Sequence, residues 1–221
     1  AVLPIGIMHI KKKILRNFNY NKNLLLITLN QSRYTYRLYS GSGLNFPRYF
    51  GNYFSFSTLL NDCIRNNMLV RLHSIDHGWE QPLRWRDRFP EVKLDLGLRK
   101  IHDLMKESRI VVQTYNSTGI LETLALGIPT VIFIDLKVTP LRETAAPHYA
   151  ELKRVGIFHD TPESAAAHVN AIWDDVDAWW TSAEVQDVIQ AFTKLYCNLT
   201  DNILDRIETE MREVISESVK K

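Results

Sequence analysis

The chain has 221 residues, 45% of them hydrophobic and 24% charged, with a formal net charge of +2. That is enough apolar material for one real core, so a single domain with short appendages is the expectation. So small a net charge supplies no field to hold a polyanion, which sets nucleic acid aside as an expected partner.

In chain order, the opening Ala1 to Ile10 lacks the charged leader and cleavage site of a signal peptide, and no run of about 18 apolar residues follows, so no transmembrane segment is expected. The start, Val2 to Ile7, has no Met before it and opens in mid-phrase, which suggests a piece of a longer chain. Lys11-Lys12-Lys13 with Arg16 either touches an anionic membrane or forms a solvated face; three lysines bind membranes weakly, which favours the second. The two cysteines, Cys63 and Cys197, each lie in an apolar helical pattern and read as reduced core residues. That points to a cytoplasmic protein, free or at the face of the inner membrane.

Leu24 to Leu29 reads as a buried strand. Tyr34 to Tyr53 carries five tyrosines and two phenylalanines among Gly, Ser and Asn, and reads as a long, ordered loop. From residue 55 helices and short apolar strands alternate. Helices are predicted over Phe56 to Asn66, Glu80 to Phe89, Arg99 to Glu107, Ser117 to Leu126 and Leu141 to Val155. Strands are predicted over Met68 to Leu72, Val92 to Asp95, Ile110 to Thr114, Thr130 to Ile134 and Gly156 to His159.

After Asp160 the pattern is helical: Pro162 to Trp173, with Thr161 as N-cap, then Ser182 to Leu195 and about Thr200 to Val219. In the last helix Ile203, Ile207, Met211, Val214 and Ile215 form one apolar stripe against an acidic face. Membrane-surface helices want Lys and Arg there, so docking onto protein is expected. The fold class is therefore α/β, a Rossmann-like parallel sheet with helices on both faces. The expected division is an N-terminal segment 1–54, a Rossmann-like core 55–160, and a C-terminal helical region 161–221 packed on the same domain.

The chemistry concentrates between Val111 and Val131, which read as strand, polar turn, helix, Gly stop and strand. Asn116, Ser117 and Thr118 stand where the helix begins, so their side chains and the free amides of the first turn meet at the positive end of the helix dipole. That is an anion site, and Gly119 lets a bulky group come close to the backbone. Glu122, one turn deeper, can reach a ribose hydroxyl pair as acidic residues do in other doubly wound nucleotide sites. The bland reading stays open: Asn116 or Ser117 only caps, and Glu122 is only solvated.

A second element, Arg71-Leu72-His73-Ser74-Ile75-Asp76-His77-Gly78-Trp79, follows a strand and so also lies at the ligand edge of the sheet. Arg71 can add charge and His73 can donate to a phosphate oxygen, or His73 can simply bond a neighbouring carbonyl. His73, Asp76 and His77 lack a further clear ligand, so no metal is expected. Trp173, Trp179 and Trp180 read as packing residues. Arg142 and Glu143 also lie at the ligand edge, where either can reach a ligand or form a local ion pair.

Thr114 to Thr118, Glu122 to Ala125 and Gly127 to Thr130 resemble the matching element of a family of transferases encoded in bacterial surface-polysaccharide (O-antigen) gene clusters. Those proteins have GT-B architecture and are distantly similar to lipopolysaccharide transferases that use CMP-activated sugars such as Kdo. Further matches in order are Arg71 to His73, Asp76 to Trp79, Arg84-Trp85, Gly156 to Asp160, Pro162 to Ala165, Ile172 to Asp175 and Trp179-Trp180. They cover roughly residues 60 to 200.

The resemblance implies the donor-binding half of a glycosyltransferase in surface-polysaccharide or lipopolysaccharide biosynthesis. It implies a missing N-terminal domain that takes the glycan or lipid-linked acceptor and often supplies the catalytic base. The nucleotide sugar is then a substrate, CMP-linked favoured, and no separate cofactor is expected. In CMP-sugar transferases a His-Pro pair contacts the donor phosphate at the place of His73-Ser74; Ser74 departs from that pair, and His73 stays the catalytic candidate. The substrate-binding candidates are Arg71, Asn116, Ser117, Thr118, Gly119 and Glu122. The alternatives are a nucleotide-sugar epimerase, against which Glu122-Thr123 counts in place of paired acids, and a non-catalytic nucleotide- or glycan-binding module.

Overall fold

A computed structural model describes residues 23–34, 42–197 and 203–219. Lys11, Lys12, Lys13 and Arg16 lie outside the described residues, as do positions 35–41 of the expected tyrosine-rich loop.

Six strands form one sheet: β1 (Leu24–Ile27), β2 (Met68–Arg71), β3 (Lys93–Asp95), β4 (Ile110–Gln113), β5 (Thr130–Phe133) and β6 (Phe158–His159). Their order is β3-β2-β1-β4-β5-β6, and every neighbouring pair is parallel. This is the doubly wound order in which the chain leaves β1 toward one edge, returns at β4 and proceeds to the other. The Rossmann-like class expected from the alternation of elements is therefore the observed one.

Short, mainly apolar strands are what burial on both faces selects. Leu24, Leu26, Val70, Val112 and Phe133 face a cluster built with Phe46, Tyr53 and Phe56 of α1 (Ser42–Leu59), Trp85 of α3 (Gln81–Arg88) and Ala165, Ala166 and Val169 of α7 (Pro162–Ile172). On the opposite face Leu25, Ile27 and Val111 meet Leu104 and Met105 of α4 (Ile101–Glu107) and Ala125 of α5 (Thr118–Ala125). Further along, Ile132 meets Leu152 of α6 (Ala146–Arg154) and Ile189 and Phe192 of α9 (Ala183–Tyr196). Trp173 and Trp180 are buried within these clusters, so the packing reading of the tryptophans is the observed one.

The turns that launch β5 and β6 have one cause. Gly127 and Gly156, at φ 69° and 78°, end α5 and α6 in left-handed geometry. Ile128 N then donates to Thr123 O, and Ile157 N to Leu152 O, closing a Schellman motif at each helix end. At the start of α7, Thr161 Oγ1 accepts from Ser164 N with Pro162 behind it.

Two expectations are corrected. The stretch up to Tyr53 is not all loop, because α1 begins at Ser42 and runs to Leu59. Its aromatics at 46, 49, 50, 53 and 56 follow helical spacing and are buried on one face, a period masked by Gly43, Pro47 and Gly51. Cys63 is exposed, because the short α2 (Asp62–Arg65) turns Ile64 rather than Cys63 to the core. In α10 (Ile203–Val219) Leu204, Met211 and Ile215 stand exposed. Cys197 is buried as expected, and burial pushes its thiol up to about 11. No helix among the described residues is long and apolar enough to cross a membrane.

Candidate functional site

All six strands point the same way, so their carboxyl ends share one rim, and the reversal of strand order falls between β1 and β4. Chains leave those two adjacent strands toward opposite faces, and such a switch point is the usual ligand position in sheets of this order. Three segments border it: 28–34 after β1, 72–80 after β2 and 114–117 after β4.

The floor is sewn shut by hydrogen bonds. Thr114 Oγ1 donates 2.7 Å to Ile27 O, joining the ends of β4 and β1. From α1, the buried Tyr53 hydroxyl accepts from Leu29 N at 2.9 Å and lies within hydrogen-bonding reach of Thr114. Burial drives this phenol well above its ordinary range, so it stays a neutral strut.

At the β4 side, Ser117 is the N-cap of α5 in extended geometry, yet its hydroxyl closes none of the helix's amides. By contrast Thr161, Asp175 and Ser182 each accept a backbone N–H at their own helix starts. The Ser117 hydroxyl turns instead to Tyr115, whose half-buried phenol is raised mainly by burial and then by the Glu122 charge, against the lowering effect of Ser117. Asn116 and Thr118 are exposed beside it. Ile120 N donates to Ser117 O at 3.2 Å, while the Thr118 and Gly119 amides stand at the positive end of the helix dipole.

Gly119 has a different neighbour from the one its sequence context suggests. What approaches its backbone is Gln113: a Cβ there would stand 3.0 Å from Gln113 Nε2 and 3.3 Å from Ser117 Oγ. Gln113 is completely buried, and neither its Nε2 nor its Oε1 has a hydrogen-bond partner among the described residues.

Glu122 is not free either. Its Oε2 lies 3.0 Å from His102 Nε2, which comes from the first turn of α4. The side chains are 16% and 47% exposed respectively, so the carboxylate is mostly covered while the imidazole stands half in solvent. Sequence reading missed His102 because α4 and α5 are brought together only by the fold.

The β2 side is organised differently. Arg71 is paired with Asp95 at the end of β3, and the same carboxylate oxygen accepts from Gly97 N at 2.9 Å. Its charge is thus compensated within the protein. His73 is exposed and its Nδ1 accepts from Ile75 N at 3.1 Å, with the His77 ring 6.0 Å away.

Asp76 holds the start of α3 by accepting from Glu80 N and Gln81 N. His77 and Glu80 sit at φ 55° and 53°, left-handed positions that cost non-glycine residues energy. The loop is pinned from the β1 side: Trp79 Nε1 donates to Gln31 O, Arg33 Nη1 to Gly78 O and Asn30 Nδ2 to Ile75 O. Trp79 also stacks on Phe46, fixing the loop to α1.

Among the described residues no group of three or more metal-ligating side chains comes together. Arg142 and Glu143 are exposed and make no ion pair with one another; the β5 end is instead held by the pair between Asp135 and Arg48 of α1. The fold thus gathers Asn116, Ser117, Thr118 and Gly119 at one helix start and brings Glu122 to a histidine. Arg71 and His73 lie across β1 on the other branch.

The family model described as LIC12162 family transferase matches residues 1–211, and the chain belongs to that family. No curated protein matches it.

Proposed function

We propose that this member of the LIC12162 transferase family binds a nucleotide sugar in the β1/β4 crevice and serves as the donor half of a bacterial glycosyltransferase. The observation that carries the reading is Ser117, an N-cap at the switch point whose side chain caps neither the Thr118 nor the Gly119 amide at the start of α5. Those amides and the exposed Asn116 and Thr118 would take the donor phosphate.

Glu122, with His102 bonded to it, supplies a carboxylate and an imidazole within a turn of that point, a combination suited to ribose hydroxyls. His73, on the facing loop, is the group proposed to stabilise charge on the departing phosphate. With Arg71 neutralised by Asp95, most of that stabilisation falls to preorganised amide dipoles.

The resemblance to surface-polysaccharide transferases supports a role in O-antigen or lipopolysaccharide assembly at the cytoplasmic side of the inner membrane. It favours a CMP-linked sugar as substrate, without a separate cofactor, and a glycan or lipid-linked acceptor held by a further domain. The modest net charge of +2 fits a small charged ligand better than a nucleic acid.

Calorimetry of the chain against CMP, UDP and GDP tests this reading. One of the three binds, and Glu122→Ala weakens that binding by about 1–3 kcal/mol, the cost of an unpaired polar ligand group. Absence of binding by all three contradicts it.

A further inference from the structure

A buried carboxamide with both of its polar atoms unpartnered is costly, and natural cores rarely keep one without a use. Among the described residues Gln113 is such a group. It closes β4, whose other residues are Ile110, Val111 and Val112, and an apolar side chain of the same size would complete that strand's pattern. It lies directly under the first turn of α5, and alanine in place of Gly119 would put a Cβ 3.0 Å from its Nε2. The Ser117 hydroxyl, 3.3 Å from the same point, borders the same small space.

Two features of the sequence thus cooperate: a polar residue at the end of a core strand, and a glycine that leaves room for it beneath a helix start. The helix start supplies amides that attract an anion, and the amide N–H of Gln113 is a further donor at its base.

We propose that Gln113 is a phosphate-binding residue of the crevice. Its Nε2 donates to an oxygen of the nucleotide phosphate held at Ser117–Gly119, while its Oε1 turns toward the Ser117 hydroxyl. This rests on reading the β1/β4 crevice as a nucleotide site. A side chain kept at a cost to the fold, and satisfied only when an anion sits above it, ties the stability of α5's first turn to ligand binding. It also gives the role a signature that a packing residue lacks: replacing it by an apolar isostere relieves the protein and harms the ligand.

The test uses the 221-residue chain and its Gln113→Met and Gln113→Glu variants. Each is titrated by calorimetry with CMP, UDP and GDP, and each is melted without nucleotide. Gln113→Met, which keeps volume and removes the amide, lowers affinity for the binding nucleotide about tenfold or more while its Tm equals or exceeds that of the wild type. Gln113→Glu, the same shape with an acceptor in place of the donor, loses at least as much affinity. Wild-type affinity in both variants overturns the role of Gln113 and leaves the nucleotide reading standing. A wild-type chain that binds none of the three nucleotides overturns both. Should Gln113→Met melt far below the wild type, the amide is a structural member of the core and the proposal falls.

Discussion

Glu122 Oε2 and His102 Nε2 meet at 3.0 Å, joining the second turn of α5 to the first turn of α4 beside the crevice between β1 and β4. A carboxylate that would otherwise be a solvated helix residue is thereby held in one position. The histidine gains an orientation, and its other ring nitrogen remains for a ligand or water.

His102→Ala is therefore expected to weaken nucleotide binding by about 0.5–1.5 kcal/mol, the net worth of an ordinary hydrogen bond. The fold should respond little, since a pair whose imidazole stands half in solvent contributes only about 0–1 kcal/mol to stability. Calorimetry and urea unfolding of the same variant separate the two effects; unchanged affinity contradicts a role for the pair in binding.

Tyr53→Phe should cost about 1–3 kcal/mol, because it strands the buried Leu29 N–H that the hydroxyl satisfies. Tyr49→Phe removes a hydroxyl that, among the described residues, meets Thr139 Oγ1 in a part-buried setting, and should cost about 1 kcal/mol or less. Urea midpoints of the two variants check the ranking.

Stability should fall as pH drops through the window set by His168. Burial first, and then the neighbouring His159, hold this imidazole down to about 4, from an ordinary value of 6.5. Between those limits the unfolded chain binds more protons than the folded one, so unfolding becomes easier as acid is added. His159, lowered mainly by burial and bonded to Ser164 and Gly156, acts in the same direction, with the Lys153–Asp160 ion pair nearby. The expected loss is on the order of 2 kcal/mol between pH 6.5 and 4. His168→Leu should flatten that slope in unfolding experiments across the range.

Two glycine substitutions should move Tm in opposite directions. Gly156→Ala forces a Cβ to within 2.4 Å of the His168 ring at φ 78°, and should destabilise by about 1–3 kcal/mol. Gly51→Ala, within α1 and with nothing inside 4 Å of the new methyl, should stabilise by about 0.5–1 kcal/mol.

The sheet was legible because its strands are short apolar runs punctuated by helix-stopping glycines. Gly127 before β5 and Gly156 before β6 mark strand starts in sequence and do so in the fold. The first helix was hidden by composition: Gly43, Pro47 and Gly51 read as loop, and only the burial of Phe46, Phe50, Tyr53 and Phe56 reveals their helical period. The polar turn at Asn116–Thr118 was visible because a helix start is a local event. The partners of its neighbours were not. Asp95 lies 24 residues from Arg71 and His102 lies 20 from Glu122, and only parallel crossovers bring each pair together. Gln113 was the least visible, because one polar residue ending an apolar strand carries no local signal of what it lies beneath.

The most direct measurement is an amide NMR titration of the chain with the nucleotide that binds, run beside its phosphate-free nucleoside. A phosphate cradle at the start of α5 predicts that the N–H signals of Ser117, Thr118 and Gly119 shift with the nucleotide far more than with the nucleoside, while those of β6 stay in place. Equal shifts with both ligands, or shifts that bypass these three amides, would contradict it.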